Sequence, residues 1–461
     1  MGVPFRFMHA ADLHVDSPFR GLTDAPAEVR EALQSSTFQA VRNLVDTALS
    51  EEVDFVVIAG DLYDSADRSL RAQLYLQREW KRLHAKGVQL FVIHGNHDPL
   101  SGQRAKLEWP KSVHFYGSEK VEKEAAYTKS GELAAYVHGI SYGTRSVTEN
   151  LAARYEADGG SGVYQIAMLH GNVDGQEGHD PYSPCSLSEL AGSGFHYWAL
   201  GHIHGRAVLH TYPHVVYSGN TQGRHSKETG AKGCYIVDVS ASYETELKFV
   251  PLDAVRWENI VVQIAGIESE QVLLMTLEKA ALEAASGCER RSSMLRLSLE
   301  GRGPLHHRLS DATFVQELLM GIRERIAEIN EWQGNASEPW CWIYRIETAS
   351  GAELDLELLG REDSFTGELI RSSMSIENDD DALEELVSEA LQPLYANARL
   401  RKLVRSRQDE RSRQWLAGAR ELAAGLLLED AAVKDGDKTA DSLGKAGAKT
   451  EDSGQERGDG V

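Results

Sequence analysis

Five short polar clusters in the N-terminal half carry side chains that bind divalent metals and move protons. They are Asp12-Leu13-His14, Gly60-Asp61-Leu62-Tyr63-Asp64, Gly95-Asn96-His97-Asp98, His170-Gly171-Asn172 and Gly201-His202-Ile203-His204. Imidazole nitrogens, carboxylates and an amide oxygen without a thiolate form a donor set suited to manganese, iron or zinc. Residues i and i+2 of an extended segment lie on the same side, so Asp12 with His14, and His202 with His204, can each aim a pair at one centre. Four imidazoles, two or three carboxylates and an amide oxygen exceed the needs of a single ion and suit two ions that share a ligand. Asp61 is the natural bridge, because a carboxylate offers two oxygens and an imidazole one lone pair. A lone Asp-x-His or His-x-His is usually a turn or a satisfied polar pair, and Gly-Asn-His-Asp alone could be an Asx turn. Five such clusters in one chain argue for a dinuclear site.

Each cluster follows an apolar, strand-like run: FRFMH (5–9), DFVVIAG (54–60), VQLFVIHG (88–95), YQIAMLHG (164–171) and HYWALGH (196–202). In open α/β sheets ligands bind beyond the carboxyl ends of the strands, so clusters spread over almost two hundred residues are expected to meet. Helical patterns over 27–50 and 68–86 separate the first three runs and predict a βαβαβ start with a buried parallel sheet. A sixth run, CYIVDV (234–239), and the closely spaced RAVLH, VVYSG and ELKFV predict antiparallel strands. The fold class expected from this pattern is an α/β sandwich with a mixed sheet.

From Arg256 the texture changes to strand (NIVVQIAG), helix (268–285), strand (MLRLSLEG), helix (311–329) and strand (WCWIYRIETA), a small α+β domain ending near residue 350. A loop with the acidic run ENDDD (377–381) is expected next, then a helical pattern from Ala382 to Glu429 broken at Pro393. The polar, Gly-rich residues 431–461 carry no apolar period and read as a disordered tail.

The net charge of −22 taken as a sum disfavours nucleic acid, whose phosphates are met by Lys and Arg. Its distribution is uneven: residues 1–250 hold 23 Lys+Arg against 30 Asp+Glu, a net of −7, and residues 251–461 hold 25 against 40, a net of −15. Histidine is skewed the other way, with 15 of 17 in residues 1–250. The four cysteines lie about fifty residues apart with no CxxC pair, which suggests neither a zinc ribbon nor a disulfide framework. No apolar run approaches the roughly 20 residues that span a bilayer, and a cytoplasmic, non-membrane protein is the expectation.

The motifs DLH, GDLYD, GNHD, the isolated LHG and GHIH together resemble the full motif set of the calcineurin-like metallophosphoesterases. HAADLHVDSPFRGL near the N-terminus and YSGNTQGRHSKETGAKGC (217–234) are similar to the YhaO-like group of bacterial DNA repair exonucleases, relatives of the SbcD nuclease subunit. The resemblance implies a four-layer αββα sandwich with a smaller α+β capping domain and C-terminal helices. The domain bounds would be 1–255 for the nuclease domain, 256–350 for the cap, 351–430 for an acidic loop and partner-docking helices, and 431–461 for the tail. Asp12, His14, Asp61 and His204 would hold one metal, and Asp61, Asn96, His170 and His202 the second. His97 would be the histidine facing substrate, with Asp98 orienting it. Manganese is the expected metal, with iron or zinc as alternatives.

Two divalent ions bring +4 and the carboxylates of Asp12 and Asp61 bring −2, so about +2 remains to hold a phosphodiester. Metals roughly 3.5 to 4 Å apart would lower the pKa of a bridging water, and the resulting hydroxide would attack the phosphorus in line with the leaving oxygen. His97 would protonate the leaving alkoxide or stabilise its charge. Arg224 and His225 would contact the substrate phosphate, unless their loop is merely solvated. The remaining histidines have blander readings: His84, His114, His138, His179 and His210 as surface or core residues, His9 and His94 as supports near the site.

The basic helix RLRKLVRSRQDERSRQW (399–415) would dock on an SMC-type, SbcC-like ATPase through Leu400, Leu403, Val404 and Trp415; its plainer reading is a solvated face. A homodimer is also implied by the resemblance. The leading expectation is thus a DNA exonuclease working beside that ATPase. A phosphatase or phosphodiesterase acting on small nucleotides or phosphoproteins is the alternative, and a binding subunit with a dispensable site is a third, disfavoured by the intact ligand set.

Overall fold

A run such as Phe55–Ala59 has no polar face to show to water, and runs of this kind belong in strands covered on both sides. The computed structural model describes residues 2–19, 24–65, 68–102, 105–160, 162–175, 181–332, 339–395 and 411–428. In chain order the elements begin β1 (Phe5–Ala10), α1 (Ala27–Ser50), β2 (Phe55–Ala59), α2 (Leu70–His84), β3 (Gln89–Ile93) and β4 (Val113–Phe115). There follow β5 (Glu122–Tyr127), β6 (Leu133–Gly139), β7 (Tyr164–His170), α3 (Leu187–Gly192), β8 (Tyr197–Gly201), β9 (Ala207–Thr211), β10 (His214–Tyr217), β11 (Gly233–Val239) and β12 (Thr245–Pro251). The smaller region holds β13 (Val255–Gln263), α4 (Glu270–Gly287), β14 (Ser292–Arg302), α5 (His306–Leu309), α6 (Ala312–Trp332) and β15 (Cys341–Gly351). The C-terminal helices are α7 (Leu356–Arg361), α8 (Phe365–Glu377), α9 (Asp380–Tyr395) and α10 (411–428).

The first sheet has the order β12-β11-β1-β2-β3-β4, with β1 to β4 parallel and β11 and β12 antiparallel. The second has the order β5-β6-β7-β8-β10-β9, parallel through β6, β7, β8 and β10 with an antiparallel strand at each edge. Strand side chains alternate between faces. Phe7, Phe55, Val57 and Phe91 therefore meet Val137, Tyr164, Ile166 and Tyr197 between the two sheets. Their neighbours Met8, Val56, Ile58 and Leu90 face away, against Val41, Leu44 and Val45 of α1 and Leu76 and Trp80 of α2. On the far side Leu169, Trp198, Leu200 and Tyr217 pack with Leu190 of α3 and with Tyr155 and Phe195. The layers run α, β, β, α, as the expected sandwich requires.

Local chemistry sets the outer helices. In α1 the buried Val29, Leu33, Ala40, Val41, Leu44, Val45 and Ala48 recur at three- and four-residue spacing. α2 starts at Ser69, whose hydroxyl accepts from the Ala72 N–H at 3.0 Å, and its buried stripe is Ala72, Leu76, Trp80 and Leu83. Ala10 pairs with Ile58, Ala59 with Ile93, and His170 with Gly201, so the strand ends are level where the polar clusters begin.

The strands β13, β14 and β15 form a third sheet in that order. The chain divides into two compact units, one of Met1–Val262, Leu274–Ser298 and Gln316–Glu347, the other of Gln263–Leu273, Leu299–Val315 and Thr348–Val461. All four cysteines are buried and unpaired. No helix among the described residues is long and apolar enough to cross a membrane.

The C-terminal region departs from expectation. Where a loop was expected up to the acidic run, α7 and α8 form, and Ser364 caps α8 by accepting from the Gly367 N–H at 3.1 Å. The acidic run is the junction of two helices: Asn378 ends α8, and the Asp379 carboxylate accepts from the N–H groups of Asp381 and Ala382 at the start of α9. Negative charge at a helix N-terminus is favourable, which is why an acidic stretch is helical here. Pro393 does not break the pattern ahead of it but lies in the last turn of α9. Trp415, expected to await a partner, packs with Leu383, Val387, Leu391 and Leu416. Residues 399–410 of the expected docking helix and the 431–461 tail lie outside the described residues.

Candidate metal centre

The polar segments after β1 and β2 continue side by side: Asp12 N–H donates to the Gly60 carbonyl, His14 N–H to Asp61 and Val15 N–H to Leu62, at 2.9 to 3.1 Å. This fixes Asp12 and His14 against Asp61. Four residues of the centre, Asp12, His14, Asp61 and His202, hold φ between 43° and 94°, a conformation that non-glycine residues seldom adopt and that gathers at functional sites. The His202 N–H donates to both Asp12 oxygens at 3.1 and 3.2 Å, which binds the end of β8 to the end of β1.

Three tight groups result; one is His14, Asp64 and His97, and the other two share Asp12. The ligand atoms of Asp12, His14 and His204 lie within 4.8 Å of one another, as do those of Asp12, Asp61 and His170. Asp61 Oδ2 stands 3.8 Å from His14 Nε2 and 3.4 Å from His170 Nε2, between these last two groups. Asn96 Oδ1 is 3.0 Å from His170 Nε2. His202 is outside all three groups, its ring edge-on to that of His170 with 5.3 Å between centres. Gly95 brings the backbone against the centre: a Cβ there would lie 2.4 Å from Asp61 Oδ1 and 2.6 Å from His170 Nε2.

Burial raises the Asp12 carboxyl. Burial acts the same way on Asp61, but the adjacent His170 together with His14 and His97 outweighs it and holds Asp61 well below the usual carboxylate range. Burial also works against a charge on His170, and the carboxylates of Asp61 and Asp12 overcome it, carrying the imidazole up to about 9. Burial and the nearby Arg224 push His14 down to about 3.

His97 makes two contacts that aim it. Its N–H donates to Asp61 Oδ1 at 2.9 Å, and its Nδ1 is 2.8 Å from the Asp64 carbonyl. A carbonyl only accepts, so Nδ1 carries the hydrogen and Nε2 is left for other chemistry. The expected partner, Asp98, does not orient His97. Its carboxylate is committed to His94 Nδ1 at 2.8 Å, the Leu62 N–H at 3.1 Å and the Gly95 N–H at 2.9 Å, and it holds the loop together from beneath. His94 is thus a support, as expected, and His9 is a core residue bonded through Nδ1 to the Tyr197 hydroxyl at 3.0 Å.

Arg224 reaches the centre, ion-paired to Asp64 and 3.4 Å from His204 Nδ1. His225 is exposed at its rim. Three residues given no role by the sequence belong to the same assembly. Asp64 joins Arg224, His14 and His97; Glu228 takes His204 Nδ1 at 2.6 Å; and buried Arg68 donates to the carbonyls of Asp98 and Pro99 just after His97. Asp64 stood inside the Gly60–Asp64 motif, and Glu228 four residues after Arg224 in a loop of mixed charge. Arg68 carried no such signal.

Residues 5–206 match the calcineurin-like phosphoesterase family, and residues 257–351 match the middle domain of the metallophosphoesterase YhaO. The uncharacterized metallophosphoesterase YhaO of Bacillus subtilis (strain 168) is 39% identical over 366 residues, 79% of this chain and 85% of that protein. This chain belongs to the calcineurin-like metallophosphoesterases. As a metallophosphoesterase it is a hydrolase from a family with a dinuclear metal centre. It is also similar to two archaeal proteins named DNA double-strand break repair protein Mre11. That of Sulfurisphaera tokodaii is 26% identical over 50% of this chain, and that of Methanocaldococcus jannaschii 24% over 51%. The matches span 60% and 63% of those two proteins' lengths.

The residues of this metallophosphoesterase fit a pair of cations. His170 Nδ1 faces the Ala59 carbonyl at 2.9 Å and so carries a hydrogen, which turns Nε2 toward oxygens of Asn96 and Asp61. A lone pair cannot face two oxygens unless a proton or a cation lies between. His14 Nε2 and His204 Nε2 face each other at 3.1 Å in the same way. A single hydrogen satisfies the imidazole pair in the metal-free protein, and with it removed each of these pairs would present its donor atoms to a cation.

Proposed function

We propose that this metallophosphoesterase is a dinuclear-metal phosphodiesterase that degrades DNA, most simply an exonuclease in DNA repair working with an SMC-type ATPase. The observation that carries the catalytic part is the convergence of Asp12, His14, Asp61, Asn96, His170, His202 and His204 beside His97. In this reading Asp12, His14, Asp61 and His204 hold one ion, and Asp61, Asn96, His170 and His202 the other. The bound ions, manganese by resemblance and iron or zinc by the donor set, supply positive charge for the phosphate and lower the pKa of water.

The chain's own groups do the rest. His97, with Nδ1–H donated to the Asp64 carbonyl, would act as the imidazolium: its Nε2–H faces the leaving oxygen, gives it that proton and leaves the neutral imidazole. Asp64 holds Arg224 over the centre, where its guanidinium meets a non-bridging phosphate oxygen, and His225 meets the substrate at the rim. The β-sandwich acts as the nuclease domain and the region of residues 256–350 as a cap that selects substrate. DNA as substrate is supported by the Mre11 resemblance, which covers half of this chain. The ATPase is assigned to the C-terminal helices, where Leu386, Leu394, Leu422 and Leu426 of α9 and α10 are exposed. A cytoplasmic location and a homodimer complete the proposal.

The test is the purified protein with manganese, offered linear duplex DNA, single-stranded DNA and p-nitrophenyl phosphate in parallel. Progressive loss of DNA from its ends, abolished by chelation, supports the reading. Hydrolysis of the small ester with both DNAs left intact would replace it with a phosphatase acting on small nucleotides or phosphoproteins.

A further inference from the structure

We propose that Glu228 is a positioning residue that sets the tautomer of His204 for metal binding, within a loop anchored at both ends on the first residues of β13. This rests on the dinuclear reading and adds to it a residue that touches neither metal nor substrate.

Glu228 is 7% exposed, and both of its oxygens are taken. Oε1 is 2.6 Å from His204 Nδ1. Oε2 accepts from the Arg224 N–H at 2.7 Å and from Asn220 Nδ2 at 3.0 Å. A carboxylate accepts and does not donate, so His204 carries its hydrogen on Nδ1 and leaves Nε2 bare, directed at His14 Nε2 3.1 Å away. The other group against Nδ1 is the Arg224 guanidinium, with Nη2 at 3.4 Å. That is a donor, and it favours the opposite tautomer, with hydrogen on Nε2, which cannot bind metal. Glu228 and Arg224 thus compete for one imidazole nitrogen, and the shorter, charged contact wins.

The loop that carries Glu228 is fixed from outside the centre. Gln222 Nε2 donates to the Val255 carbonyl at 2.6 Å, and Gln222 Oε1 accepts from the N–H groups of Ala254 and Val255 at 2.8 and 3.2 Å. Trp257 Nε1 donates to the Gly223 carbonyl at 3.0 Å, and the Gly230 N–H donates to the Trp257 carbonyl at 2.9 Å. Gly223 has no room for a side chain: a Cβ would lie 2.8 Å from the Glu228 carbonyl oxygen and 3.0 Å from Trp257 Cδ1. Residues 254–257 therefore place Glu228, and Glu228 places His204.

Glu228→Gln separates this role from simple packing. The amide has one acceptor for two sites, and the backbone N–H of Arg224 can only donate, so the amide oxygen stays at the Oε2 position. Its NH2 then faces His204 Nδ1 and turns the imidazole to the Nε2–H form. Metal-free wild type and variant are titrated with manganese by electron paramagnetic resonance, their melting temperatures are compared, and 15N-labelled imidazoles report tautomers, with His204 assigned by its loss in His204→Asn.

The expected result is two ions for wild type. In Glu228→Gln one ion is bound normally and one about 10- to 100-fold more weakly, with His204 shifted to Nε2–H and an unchanged metal-free melting temperature. Trp257→Phe, which keeps an aromatic ring and removes the donor to Gly223, weakens the same ion by less. Two ions at wild-type affinity in Glu228→Gln would overturn the inference while leaving the dinuclear reading intact. A variant that loses both ions or melts markedly lower would make Glu228 a fold-holding residue and overturn it too. A wild type that binds no manganese would overturn both.

Discussion

His97 and His170 sit in one pocket and are held for opposite tasks. His97 is tied through Nδ1 to a carbonyl, its backbone N–H meets Asp61, and its ring stands edge-on to that of His14 with 4.8 Å between centres; assigned to substrate rather than metal, it should be removable with the metals retained. His97→Ala is expected to keep full metal content and to lose turnover on DNA by about 10² to 10⁴. A p-nitrophenyl ester, whose leaving group needs no proton, should lose less; equal losses in parallel assays would assign His97 another role. His170 lies between two carboxylates that raise it to about 9, so at neutral pH it is protonated before metal arrives. Metal must displace that proton, and affinity should climb as pH rises toward 9. Calorimetry in buffers of different ionisation enthalpy would register about one proton released per chain; a heat independent of buffer would contradict this.

At the scale of elements, the strand ends carry the chemistry and the cores keep them level. Trp80 on α2 is buried against Trp109 and Phe115, and Trp80→Ala should cost about 3 to 5 kcal/mol in denaturant unfolding. Gly95→Ala should abolish metal binding, because its methyl would occupy the space between Asp61 and His170; an alanine variant with wild-type metal content would refute that packing. The five strands ahead of the clusters were legible because each is a continuous apolar run ending in ligand-type residues. Three others were not. β4 has three residues, β5 (EKEAAY) is a polar edge strand, and β6 (LAAYVHG) carries alanines of low strand propensity after its first residue and pairs with β5 and β7. The candidate metal ligands were legible because their spacing is local. The partners of Asp98 and Glu228 were not, since a carboxylate's choice between nearby donors is settled only once the loops are folded.

For the whole molecule, the charge of −22 and the C-terminal helices bear on what the protein meets. The excess acid lies mostly after residue 250, and at the centre paired cations would outweigh the two carboxylates of Asp12 and Asp61. α9 and α10 share a small core of Leu383, Val387 and Leu416 while leaving other leucines exposed. Truncation after residue 379 should leave hydrolysis of a small ester intact, because every candidate ligand precedes residue 205, and should abolish co-purification with an SMC-type ATPase. Undiminished co-purification would move the docking surface elsewhere. The account as a whole depends on two ions held in common by Asp61. Elemental analysis of manganese-loaded protein tests it most directly: two ions per chain are expected in the wild type and none in Asp61→Ala. Two ions retained in that variant would contradict it.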